Sequence, residues 1–500
     1  MRLTSAQAII RYLNNQHVER DGKENKFIAG VWGIFGHGNV AGIGEALEQN
    51  KDLKHFLPRN EQAMVHTAVA YAKQNKRMKI FACTSSIGPG ATNMVTAAAG
   101  ATINRLPVLL LPGDIFSRRN VGPVLQQLEH TSSPEISVND CFKPVSVFWD
   151  RINRPEQIIS SLPEALRVLT DPALTGAVTL SLPQDVQAEA YDYPENFFKK
   201  RVWTVSRNIP SEESLVHAVS IIKKASKPII IAGGGVIYSD AEKTLSGFCN
   251  KTGVPVGETQ AGKGVISWNH SQSLGAIGVT GTSAANIISR DADLVICIGT
   301  RLSDFTTASK TLFKNSKVTF LSINISSFDA HKHSSFSLVG DAKACLEKLK
   351  YLLVEESFTI SQEYKSEINQ QKNNWDQEVD RIFNLNNKPS VSQGEVIGLV
   401  SGFMNEHDTV VGAAGSLPGD MHKLWRTENG NQYHMEYGYS CMGYEIAGGL
   451  GIRIAKDLGD VFVMIGDGSY LMMNSEIVTA VQENQKLIIV LINNHGFGSI

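Results

Sequence analysis

The chain has 500 residues, too many for one hydrophobic core, so two or three domains are expected. Hydrophobic residues at 42%, charged residues at 19% and a formal net charge of −2 fit a globular enzyme. With no long basic or acidic block, they point away from nucleic acid and anionic membranes. The N-terminus has no signal-peptide core, and no run of about 18 apolar residues occurs. The six scattered cysteines contain no C-x-x-C pair and read as packed thiols in a reducing, cytoplasmic setting, which argues against a disulfide framework and a zinc site.

MRLTSAQAIIRYLNNQHVER reads as an amphipathic helix capped by Thr4 or Ser5. GHGNVAGIG (36–44) is a strand-to-helix turn that sets His37 and Asn39 among glycines. In PRNEQAMVHTAVAYAK, Asn60 is a helix N-cap and Glu61 falls in the first turn, where a carboxylate suits the helix dipole. ACTSSIGPGATNMVTAAAGA (82–101) is a strand, a Gly/Pro loop and a helix. It lacks the Lys-Ser/Thr of a phosphate-binding P-loop, so ATP is a poor fit. The apolar runs VLLLPGD, AVTLSLP, PIIIAGGG, DLVICIG, VTFLSIN, VFVMIGDG and LIIVLINN alternate with helical-period segments. That pattern specifies an α/β fold of doubly wound parallel sheets covered on both faces. Polar breaks at 185–201 and 361–390 divide the chain into units 1–190, 191–355 and 390–500, with a polar helix or linker over 356–389. No G-x-G-x-x-G with a downstream acidic partner follows a strand, so NAD is not expected.

GDGSYLMMNSEIVTAVQENQKLIIVLINN (466–494) is a strand end, a helix and a second strand. A right-handed crossover brings Asp467 and Asn494 to one carboxyl-end crevice, where open α/β sheets bind ligands. Gly466 and Gly468 leave room for a ligand against the backbone, and the helix that follows offers N–H groups to a phosphate. A carboxylate, an amide oxygen and a backbone carbonyl form a hard oxygen set suited to Mg²⁺ on that phosphate.

The same stretch resembles the motif of thiamine-diphosphate-dependent enzymes, which opens with GDG and closes with NN. The resemblance implies three doubly wound domains, an N-terminal pyrimidine-binding type, a central α/β domain and a diphosphate-binding one. It implies Mg²⁺ held by Asp467, Asn494 and the carbonyl of Gly496, with Gly466, Gly468 and Ser469 against the diphosphate. Thiamine chemistry needs a carboxyl group beside the aminopyrimidine, so that the cofactor's own amino group becomes a base. NEQ (60–62) matches the family's activating glutamate, which assigns that role to Glu61. AAGSLPG (413–419) resembles the first diphosphate loop, with Gly415, Ser416 and Leu417 nearest the cofactor. GYSCMGYEIAGGLG (438–451) resembles the segment beneath the V-shaped cofactor, with Met442 as its apolar wedge and the Ser440 carbonyl accepting from its amino group. Such enzymes share each cofactor between two subunits, so a homo-oligomer, dimer or tetramer, is implied.

The order of the units resembles the acetolactate synthase group. FGHGNVAGIGEALEQ, PVLQQLEH, NDCFKPVSVFWDRINRPEQIISSL and AEAYDYPENFFKKRV resemble a hydrolytic branch that opens cyclic polyhydroxy diones in inositol catabolism. A hydroxyl-rich ring needs many hydrogen-bonding partners. His37, Asn39, Gln126, Gln127 and His130 stand near the expected cleft, and His37, Asn39 and Gln127 join Glu61 as catalytic candidates. IAGGGVIY and GTRLSDF resemble the flavin-holding domain of some relatives. Yet Asn324-Ile325-Ser326 stands where flavin binders carry acidic residues, which argues against FAD and for a mainly structural central unit. The alternatives are an acetolactate-synthase-like carboligase, which bound FAD would favour, and a non-catalytic scaffold. Because the family's last domain runs well past its NN, a truncated, weakly binding diphosphate domain is also expected.

Overall fold

The computed structural model describes residues 1–497. The chain folds as two compact units. The first holds Met1–Ser206, Gly438–Asp457 and Ser469–Ile489; the second holds Arg207–Tyr437, Leu458–Gly468 and the residues from Val490 on.

The first unit contains a six-stranded parallel sheet in the order His55–Phe56, Ile28–Gly33, Ile80–Ser85, Val108–Asp114, Ala177–Pro183, Phe148–Arg151. Ile80–Ser85, Val108–Asp114 and Ala177–Pro183 are buried at every position, which is why their sequences are continuous rather than alternating. The helices Ser5–Asn14 and Ile158–Thr170 bring Ile9, Leu13, Leu162 and Leu166 to this core.

Two local expectations are corrected here. The first helix stops at Asn14, and QHVER is a strand, Gln16–Arg20. Asp21 and Gly22, both at positive φ, close a hairpin onto Lys23–Lys26, and Arg201–Thr204 pairs with the other edge. Thr4 is the cap: its hydroxyl accepts from the Gln7 N–H, and the Gln7 side chain accepts in return from the Thr4 N–H. The polar stretch after residue 185 is no loose break. It forms the helix Gln184–Ala188 and the strand Ala190–Asp192, which pairs antiparallel with Arg2–Thr4.

The helix Glu61–Gln74 packs on Tyr444–Ala455, where the Thr67 hydroxyl donates to the Ala447 carbonyl at 3.0 Å. A Cβ on Gly451 would stand 2.2 Å from the Thr67 carbonyl oxygen, so only glycine lets these two backbones meet. Gly451→Ala should therefore force the helices apart at a cost of about 1–3 kcal/mol. Urea denaturation would show a lowered midpoint with an unchanged slope.

In the second unit, a six-stranded parallel sheet runs Ser273–Ala276, Val256–Glu258, Pro228–Ala232, Leu294–Ile298, Thr319–Asn324, Phe336–Val339. At its carboxyl end Asn324 is buried; it donates to the Thr300 carbonyl and accepts from the Ser326 N–H, so its side chain serves the loop. The polar stretch from residue 361 is a 22-residue helix, Gln362–Phe383, capped by Ser361 and anchored by buried Tyr364, Ile368 and Val379. A four-stranded sheet follows, in the order Tyr433–Met435, Thr409–Gly412, Val461–Gly466, Ile488–Ile492. Among the described residues no helix is long and apolar enough to cross a membrane.

Candidate active site

Val461–Gly466 is buried as far as Ile465 and then surfaces, so Asp467 opens the next helix, Asp467–Met472, at the carboxyl end of the sheet. Asn494 emerges two residues after the strand Ile488–Ile492. One terminal atom of its amide lies 2.8 Å from Asp467 Oδ1 and 2.7 Å from the Gly496 carbonyl oxygen. With nitrogen at that position, Asn494 donates to both. With oxygen there, three oxygens face one another, the kind of donor set that Mg²⁺ favours. Among the described residues no three His, Cys, Asp or Glu side chains converge, so a cation here rests on this mixed oxygen set.

Gly415, at φ +97°, is the N-cap of the helix Ser416–Leu424. Gly415 and Ser416 are exposed and Leu417 is buried, so the helix start presents N–H groups above an apolar anchor. Gly466 has open space where a Cβ would stand, whereas a Cβ on Gly468 would meet the Phe497 ring at 2.6 Å.

Glu61 is the first residue of its helix, whose Asn60 cap accepts from the Ala63 N–H at 3.0 Å. Its Oε2 accepts from Asn93 Nδ2 at 2.9 Å. A Cβ on Gly90 would stand 3.1 Å from Glu61 Oε1 and 2.5 Å from Ser86 Oγ, so the glycine keeps the approach to the carboxylate open. Glu61, Ser86, Pro89, Gly90, Thr92 and Asn93 line a cavity of about 550 Å³, the size of a cofactor-binding cleft. The sequence marks this Gly/Pro loop as a feature of interest. Asn93 as the carboxylate's partner was missed, because 32 positions separate the two residues and only the fold brings them together.

Ser440 is exposed and Met442 half-buried, just before a turn at Gly443. The Gly443 N–H donates to Ser469 Oγ at 2.9 Å and to Glu445 Oε2 at 3.0 Å, and the Ser469 hydroxyl donates to Glu445 Oε1 at 2.9 Å. Ser469 is buried, and its hydroxyl is committed to Glu445. Glu445 itself was missed: one acidic residue in an apolar helical run looks like surface until its burial is known.

His37 is exposed at the turn after Ile28–Gly33. Asn39 is 1% exposed. It accepts from the Gly36 N–H at 3.0 Å and donates to the Ile34 carbonyl at 3.1 Å and to Thr84 Oγ1 at 3.3 Å, so it holds that turn together. Gln126 and His130 are exposed, and the Gln127 side chain accepts from the Val138 N–H at 3.4 Å. The loop carrying them is pinned by Arg151, which donates to Asp114 Oδ2 at 2.7 Å and to Ser137 Oγ at 2.9 Å.

One turn beyond Gln62, His66 is buried against the Tyr444 ring, and burial lowers its pKa to about 3. The unfolded chain takes up that proton near pH 6.5 while the folded imidazole refuses it. Stability from this residue is therefore full above pH 6.5 and falls as pH drops, by up to about 1.4 kcal/mol per pH unit. Urea melts at pH 7 and pH 5.5 should show the loss in the wild type and a smaller one in His66→Gln.

A parallel α/β fold with a carboxylate at a helix start over a cleft, and a GDG-to-NN oxygen set at a sheet end, defines a thiamine diphosphate enzyme. The chain belongs to the thiamine pyrophosphate enzyme family: the N-terminal TPP binding domain matches residues 3–136, the central domain 215–349 and the C-terminal TPP binding domain 413–500. It is 53% identical to a 3D-(3,5/4)-trihydroxycyclohexane-1,2-dione hydrolase of Clostridium botulinum (strain Alaska E43 / Type E3). It is 50% identical to the protein of that name from Clostridium tetani (strain Massachusetts / E88) and 49% identical to that of Bacillus cereus (strain AH820). Each similarity covers 100% of this chain and 81% of the relative.

Proposed function

We propose that this protein is a thiamine-diphosphate-dependent hydrolase of carbon–carbon bonds. It opens 3D-(3,5/4)-trihydroxycyclohexane-1,2-dione to 5-deoxy-D-glucuronate in inositol catabolism. The observation that carries this reading is the identity of 49–53% to hydrolases of that name, which runs over the whole chain rather than over the cofactor motifs alone.

When bound, thiamine diphosphate supplies a carbon nucleophile and a sink for the electron pair of the broken bond. The chain's residues do the rest. Asp467, Asn494 and the Gly496 carbonyl would hold Mg²⁺ against the diphosphate. The helix start at Gly415 and Ser416 donates N–H groups, and Leu417 buries its apolar side. Glu61, steadied by Asn93, holds the proton at the aminopyrimidine ring that makes the amino group a base. Met442 and the Ser440 carbonyl would lie against the cofactor's rings, and the Glu445–Ser469 pair fixes the turn that carries them. His37, Gln126 and His130 are exposed donors and acceptors for a hydroxyl-rich ring; Asn39 and Gln127 hold the loops that present them. A cytoplasmic homo-oligomer that shares each cofactor between subunits, with no flavin, completes the reading.

The test is hydrolysis of the cyclic dione with added thiamine diphosphate and Mg²⁺, product identified by mass, against carboligation of pyruvate. Turnover of the dione alone supports the hydrolase. Acetolactate formation with no dione opening would overturn it.

A further inference from the structure

Glu476 opens the short helix Glu476–Gln482, nine residues beyond Asp467, and its side chain is fully buried. Its Oε1 accepts two backbone hydrogen bonds, from the Arg59 N–H at 2.9 Å and from the Asn60 N–H at 3.1 Å. These are the two residues immediately before Glu61, and Asn60 is the cap of the Glu61 helix. The end of this helix and its C-cap residue hold the chain ahead of Glu61 at two further points. The Arg59 guanidinium donates to Gln482 Oε1, and Lys54 Nζ pairs with Glu483 at 3.1 Å. Burial raises the pKa of the Glu476 carboxyl, and the two N–H groups and Arg59 pull it back. A carboxylate is costly to bury, and backbone donors aimed at one of its oxygens offset part of that cost.

We propose that Glu476 is a positioning residue for Glu61: it accepts from the two N–H groups ahead of that helix and thereby fixes where the activating carboxylate stands in its cleft. The inference rests on the reading of Glu61 as the carboxylate that activates thiamine diphosphate. Without the Glu476 oxygen the Arg59 and Asn60 N–H groups lose their acceptor, the Asn60 cap loosens, and Glu61 is free to wander from its cleft. A shift of about 1 Å at an activating group is enough to cost on the order of a hundredfold in rate. Glu476→Gln keeps an oxygen for both donors, whereas Glu476→Ala removes it.

The experiment compares wild type, Glu61→Gln, Glu476→Gln and Glu476→Ala in the full chain. Amide hydrogen exchange of the segment 57–64 is measured without cofactor. Exchange of the thiazolium C2 proton into D₂O is measured with saturating thiamine diphosphate and Mg²⁺. Glu476→Ala should lose protection at 57–64 and slow C2 exchange on the order of tenfold or more, and Glu476→Gln should restore both to within about threefold of wild type. Should Glu476→Ala not fold, Glu476→Asp, which withdraws the oxygens by one methylene, takes its place with the same expected outcome. Unchanged protection and C2 exchange in the alanine (or aspartate) variant would overturn the proposal. Equal losses in the alanine and glutamine variants would overturn it too, since they would assign the effect to charge. If Glu61→Gln itself exchanges C2 as fast as wild type, the role given to Glu61 is what fails.

Discussion

Asp467→Ala is expected to weaken binding of thiamine diphosphate in Mg²⁺ by at least about a hundredfold, or about 2.7 kcal/mol. Asp467 is the only charged member of the proposed ligand set, whose other two members, Asn494 and the Gly496 carbonyl, lie beside it. A hard divalent ion pays heavily to shed water, and one carboxylate supplies most of the protein's electrostatic return. The two neutral oxygens that remain hold it poorly. Asn494→Ala removes a neutral ligand and should cost less. Calorimetric titration in Mg²⁺ and again in EDTA reads both effects. Wild-type binding should vanish in EDTA, and Asp467→Ala in Mg²⁺ should resemble wild type in EDTA. Tight binding by Asp467→Ala that still depends on Mg²⁺ would place the metal elsewhere.

Glu61→Gln is expected to lower kcat by about 10²–10⁴-fold while changing the affinity for thiamine diphosphate by only a few-fold. The amide oxygen still accepts from Asn93 Nδ2, so the side chain keeps its place in the cleft. What it loses is the ability to hold and return a proton at the aminopyrimidine ring. Because the substitution leaves shape and hydrogen bonding nearly intact, a fall in kcat with an unmoved melting temperature isolates the proton-handling role. A fall in affinity alone, with kcat preserved, would make Glu61 a binding residue. The pair of variants is expected to separate the two ends of the cofactor, with Asp467→Ala failing in binding and Glu61→Gln in activation.

The segments legible in advance were those where one local signal sufficed. The continuous apolar runs required parallel strands with both faces covered, and the buried strand Val108–Asp114 and its neighbours are such strands. The spacing of Asp467 and Asn494 required a crossover that brings them to one edge, and their side chains lie 2.8 Å apart. Asn60 announced the start of the Glu61 helix through capping chemistry that reaches only three residues. Where two local readings competed, the sequence misled. QHVER continued a helical pattern, but pairing with Lys23–Lys26 and Arg201–Thr204 made it a strand, and the second partner lies more than 180 residues away.

By itself, then, the sequence determined the α/β class, the Asp467–Asn494 juxtaposition and the helix start that carries Glu61, because each rests on periodicity, capping or a fixed spacing within one segment. Only the tertiary structure decided which polar side chains face the cleft and which are spent inside. Asn39 and Ser469 looked like ligand contacts, yet they are buried and hydrogen-bonded to the protein. Glu445 and Glu476, which no local signal singles out, are buried carboxylates holding the turns beside Met442 and Glu61. The physical reason is that burial and hydrogen-bond partnership belong to residues far apart in the chain. A carboxylate's cost and use are set by which donors the fold brings to it.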